Sequence, residues 1–161
     1  MFPHPAPRIM LVLALLAGAL ALPVGAGASS LTSAESSLLA QINRVRAAHG
    51  LRPLRYDARL ARAARAHTQD MARKDYFAHG AFGSRMVRFH VEGPFVGENL
   101  AWGSGSYGTP RGIVTAWLHS PEHRRNLLHA GFRRVGVAEV DASSFQGADD
   151  ARVVTADFAG S

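Results

Sequence analysis

Three ionisable side chains stand where their surroundings would make burial costly unless each is paired: His79, Glu98 and His123. Two imidazoles and a carboxylate are the ligand types of an open zinc site, which leaves a fourth position to water or substrate. The same set could do general acid–base work, with Glu98 as base on a bound water. The spacing is long and irregular and there is no HExxH, so as a metal signature the set is weak.

Each residue has a plainer reading. In a regular strand Glu98 lies on the same side as Val96, Leu100 and Trp102, and a carboxylate in that apolar row needs a partner. A kink at Gly97 would instead turn Glu98 to water, and the residues alone favour this second reading. His123 falls near the third position of a helix started by Ser120-Pro121, where the helix dipole favours a neutral imidazole able to bind metal or accept a proton. Against that stands Ser120 as a plain N-cap, Glu122 as a dipole-compensating first-turn residue and His123 on the surface. His79 opens an irregular segment, from which it could reach a cleft or remain solvated.

Other chemistries drop out. The chain has no cysteine, so disulfides and thiol catalysis are excluded. There is no GxSxG elbow and no phosphate- or dinucleotide-binding glycine pattern. Glu98 and Glu122 could form a glycosidase pair, but nothing in the sequence sets their separation.

The elements that must position these residues follow from local signals. Thr32 and Glu35 have capping-box spacing before Leu38, Ile42 and Val45, and Gly50 stops that helix. Asp57 caps a second helix over Ala58 to Lys74, with Leu60, Ala64, His67 and Met71 in one sector and Arg59, Arg62 and Arg65 opposite. His67 therefore reads as a hydrogen-bonded core histidine, and the arginines as a solvated face rather than a nucleic-acid stripe. A short helical pattern surrounds Arg85 to His90. Phe95 to Trp102 reads as a strand ending in a flexible Gly103–Ser106 loop. Thr109-Pro110 and Ser120-Pro121 each start a helix. Arg133 to Val140 and Arg152 to Phe158 read as a hairpin around a polar loop. Helices first and strands later predict α+β with an antiparallel sheet.

Residues 1–28 stand apart: Arg8, an uncharged apolar stretch from Ile9 to Val24, and Ala26-Gly27-Ala28 before Ser29 read as an export signal, a retained anchor being the alternative. The remainder, 29–161, has the length of one domain and predicts a secreted or periplasmic monomer with no further membrane span. Of its basic residues only Lys74 is not arginine, and the whole chain carries a net charge of +6. A basic surface suits anionic envelope polymers, lipid head groups or nucleic acid, or reflects composition and solubility alone.

Taken in order, Ile42-Asn43-Arg44-Val45-Arg46, Leu51-x-Pro53-Leu54, His67 with Asp70-Met71-Ala72, Tyr76-Phe77-x-His79, Arg85-Met86, Gly97-Glu98-Asn99-Leu100-Ala101, Trp117-x-x-Ser120-Pro121-x-His123-Arg124, Asn126-Leu127-Leu128, Val135-Gly136-Val137 and Thr155-x-Asp157-Phe158 resemble the CAP superfamily in its short bacterial, SCP-like form. The resemblance implies a three-layer α/β/α sandwich with a central antiparallel sheet. It also implies a cleft lined by His79, Glu98 and His123, with Ser120 where other members carry a second glutamate, and a divalent metal such as zinc as candidate cofactor. The expected function is an exported module whose cleft binds a metal or small ligand without catalysis. The alternatives are a zinc-assisted peptide or ester hydrolase with Glu98 as general base, and a protein that engages a lipid or anionic envelope component through its basic face.

Overall fold

A computed structural model of the protein describes residues 30–161; the predicted export signal and its cleavage point lie outside the described residues. Thr32 and Glu35 form the capping box their spacing predicts. Thr32 N–H donates to Glu35 Oε2 at 2.8 Å and Glu35 N–H to Thr32 Oγ1 at 3.1 Å, opening α1 (Ser33–Ala48). Thr32→Ala should lower the unfolding free energy by about 1 kcal/mol in urea titrations. No change would mean that tertiary contacts alone hold this helix start.

After the two-residue β1 (Arg55–Tyr56), Asp57 starts α2 (Ala58–Lys74) by accepting from the N–H groups of Arg59 and Leu60. Then come α3 (Phe82–Arg88), β2 (Val96–Ser104), α4 (Pro110–His119), α5 (Pro121–Leu127), β3 (Phe132–Phe145) and β4 (Ala148–Gly160). The four strands form one sheet in the order β1-β3-β4-β2. It is antiparallel as predicted, except that β1 lies parallel to β3.

Side chains alternate along β4 and define the layers. Val154, Ala156 and Phe158 pack with Leu38, Ile42, Trp117 and Leu127, which places α1, α4 and α5 on one face. Val153 packs with Met71, and Ala159 with Leu60 and Ala63, which places α2 on the other. There Thr68 Oγ1 donates to Thr155 Oγ1 at 2.8 Å. The α/β/α sandwich is thus present. Helix α2 lies so close to the sheet that a Cβ on Gly136 would come within 2.0 Å of the Ala61 nitrogen. Gly136 pairs across strands with Asp157, so the helix backbone seals the sheet beside that carboxyl.

Three expectations change. The polar loop between the last two strands is mostly strand, because Gln146 (φ 51°) and Gly147 (φ 79°) make a two-residue turn of positive φ, the geometry whose twist suits a hairpin. The segment after Gly103 is not a loose loop but a 3-10 turn over Gly105–Gly108. Arg65 does not join Arg59 and Arg62 in solvent. It reaches Glu35 Oε1 at 2.6 Å, because that carboxylate is fully buried and needs a counter-charge.

Candidate functional site

Glu98 stands on a regular stretch of β2 opposite Asp157, and its side chain is 2% exposed. His79 Nδ1 meets Glu98 Oε1 at 2.7 Å, and the Arg85 guanidinium donates to Oε2. The buried, partnered carboxylate is therefore the reading realised, and the solvated one is not. Gly97 does not kink the strand: a Cβ there would come within 2.8 Å of the Phe132 ring and 3.1 Å of Asn126 Oδ1, so glycine is needed for these two to seat.

A carboxylate only accepts, which assigns the shared proton to His79 Nδ1 and leaves Nε2 outside the contact with Glu98. The loop carrying His79 is held at two points. His67, a core histidine as predicted and 4% exposed, donates from Nε2 to the Ala78 carbonyl at 3.0 Å. Burial, then the Arg85 charge, lower its pKa and keep it neutral. Arg85 also donates to the His79 carbonyl at 3.3 Å.

His123 comes from the other layer, in the first turn of α5. That helix is pinned to the edge strand by two carboxamides. Asn99 Nδ2 donates to the His123 carbonyl at 2.9 Å, while Asn126 Nδ2 donates to the Glu98 carbonyl at 3.0 Å and to Asn99 Oδ1 at 2.9 Å. His123 is half-buried, and burial followed by repulsion from His79 lowers its pKa, so it is neutral at pH 7. Neutrality was expected, but from the helix dipole rather than from burial. His79 and Glu98 are thus in contact, and His123 lies within electrostatic reach of His79. Ser120 joins α4 to α5, yet its hydroxyl makes no capping hydrogen bond; α5 starts on Pro121 at its first position.

Two residues of the site carried no role in the sequence reading. Arg85 bridges loop and carboxylate, as described. Asp157 is fully buried, and neither of its oxygens meets a donor. Burial first, then the charge of Glu98, push its pKa well above the usual carboxylate range. Two carboxylates cannot bond to each other, but a carboxylic acid can donate to a carboxylate. Burial and the charge of Glu98 thus favour the protonated form of Asp157, which as an acid can donate towards Glu98, while Glu98 accepts from His79 and Arg85. The signal was present in the alternation of β4, where Asp157 shares a face with Val153 and Thr155 in a run covered on both sides.

For zinc, His79 Nε2 and His123 are of the right donor type, but the two oxygens of Glu98 already face His79 and Arg85. Among the described residues no group of three His, Cys, Asp or Glu side chains is placed to hold an ion. The described residues thus offer two imidazoles and not the three-ligand protein site of zinc enzymes.

The sequence matches the profile of the cysteine-rich secretory protein family, CAP, over residues 39–158, and the chain belongs to that family. YkwD of Bacillus subtilis (strain 168), itself described as uncharacterized, is 37% identical over 121 residues, covering 72% of this chain and 46% of YkwD. An extracellular protein containing an SCP domain from Bacillus anthracis str. Ames aligns with a TM-score of 0.61 at 28% identity, covering 82% of this chain and 45% of that one. An outer surface protein from Borrelia burgdorferi gives a TM-score of 0.66 at 21% identity, covering 78% of this chain and 92% of that one, a likeness of fold. The chain thus spans about half the length of YkwD and of the anthracis protein. Among the described residues no helix is long and apolar enough to cross a membrane.

Proposed function

We propose that the protein is an exported CAP-domain binding module whose cleft, at the edge of β2, takes a small polar ligand on His79 and His123 without covalent chemistry. One observation carries this reading. Glu98 is engaged by His79 Nδ1 and by Arg85, so it serves to fix an imidazole rather than to activate water. The fixed imidazole has a side chain 55% exposed with its Nε2 outside the Glu98 contact, and burial keeps the imidazole of His123 neutral. Two such ring nitrogens suit polar groups of a ligand. A divalent ion such as zinc would rest on the same two nitrogens and would supply positive charge for a ligand oxygen. The extracellular description of the anthracis relative and the export signal read at the N-terminus both support a place outside the cytoplasm.

Native mass spectrometry of protein purified from its own host tests this. A non-covalent adduct is expected on the wild type, and its loss is expected on joint His79→Ala and His123→Ala substitution. Calorimetry with zinc as probe should show binding weakened about tenfold or more in the same variant. Equal adducts and equal heats in both proteins would remove the cleft from the function.

A further inference from the structure

Arg85 also lines a second cavity, of about 510 Å³, that none of His79, Glu98 and His123 lines. It lies between the C-terminal half of α2 and α3, and its size falls within the range of small-molecule sites. Arg73, Lys74, Arg85 and Arg88 face it, against the single carboxylate of Asp70. That carboxylate is fully engaged: Arg73 approaches it at 2.6 Å, Lys74 at 2.9 Å, and the Tyr76 hydroxyl donates to it at 2.9 Å. The charge of Arg85 is answered by Glu98, outside the cavity, while its buried Nε–H has no acceptor. Arg88 makes no ion pair among the described residues and lies over the Phe89 ring, 5.8 Å from its centre. Positive charge is therefore in surplus along one wall, beside an aromatic surface.

Guanidinium forks and an ammonium group converging on one cavity are the donors that match the oxygens of a phosphate, and stacking on Phe89 holds one fork in place. We propose that this cavity binds a phosphate-bearing ligand, held by Arg73, Lys74 and Arg88, with its organic part against Phe89. The site is separate from the imidazole cleft and stands or falls independently of it.

The test is calorimetric titration of the exported chain with inorganic phosphate, with glycerol 3-phosphate, and with vesicles of phosphatidylglycerol or of phosphatidylcholine. Binding that weakens with salt is expected. Joint Lys74→Glu and Arg88→Glu substitution should reduce the affinity about tenfold or more. The same charge change on the other layer, at exposed Arg111 and Arg125, should leave it within about twofold. Because Lys74 also braces Asp70, Arg88→Gln alone, on an exposed side chain, is the second variant and should weaken binding about threefold or more. Binding of the free phosphates supports a soluble ligand. Capture by phosphatidylglycerol vesicles alone, weakened by the same substitutions, supports a lipid headgroup. No binding of any probe, or equal losses in the two double variants, would overturn the proposal.

Discussion

Glu98→Ala is expected to lower the unfolding free energy by about 3–5 kcal/mol, because it strands a guanidinium that is 11% exposed without its counter-charge. The loss should be partly recovered when Arg85→Met is added, since replacing both members of a buried pair by apolar groups is often nearly neutral. Urea unfolding of the two single variants and the double variant gives the coupling directly. A cost below about 1 kcal/mol for Glu98→Ala would mean that Arg85 swings out to water and that the pair does not organise the cleft. The same substitution should free His79 to exchange tautomers, visible as averaged imidazole nitrogen shifts in NMR spectra. Stability and tautomer thus report on two separate links, the ion pair and the imidazole contact.

The parts of this arrangement that could be read along the chain are those governed by neighbours in sequence. The Thr32–Glu35 box, the Asp57 cap and the Thr109-Pro110 start each need only a few adjacent residues, and each opens a helix at the predicted place. The periodicity of α2 likewise placed His67 inside. What escaped depends on register between distant strands or on long side chains crossing between elements. Nothing near Asp157 says that it will face Glu98, because that follows only from the pairing of β2 with β4. Arg65 looked like its exposed neighbours until Glu35 met it from α1. Arg46 is a sharper case: it is wholly buried, donating to the carbonyls of Leu127 at 2.7 Å and His129 at 3.2 Å, and so joins α1 to the loop after α5. Its place four residues after Ile42 and eight after Leu38 puts it on the buried face of α1, but the carbonyls that receive it come from α5 and the loop beyond, far along the chain. The resemblance to the CAP superfamily named His79, Glu98 and His123 as a set, but it gave no role to Arg85, which occupies one oxygen of Glu98.

Asp157→Asn is expected to make the protein more stable, and increasingly so as the pH rises. In the unfolded chain this carboxyl ionises near pH 4, about the ordinary value for aspartate. In the folded protein burial and Glu98 hold the proton on to a higher pH. Over that interval the folded state binds more protons than the unfolded one, so folding stability falls with rising pH. Its contribution is complete below the unfolded value and is lost on the way up to the folded one. Each pH unit within the interval costs the wild type about 1.4 kcal/mol relative to asparagine, which cannot ionise yet can still donate from its amide to Glu98. His67 and His123, both with lowered pKa, act in the opposite direction, destabilising the fold as the pH drops through the histidine range. They are common to both proteins and cancel in the difference. Chemical unfolding of wild type and Asp157→Asn at a series of pH values from about 4 to 8 should therefore give a gap that is smallest at the acid end and widens upward. A gap independent of pH would mean that Asp157 is ionised in the folded protein, and that Glu98 is oriented by His79 and Arg85 without a proton donor across the sheet.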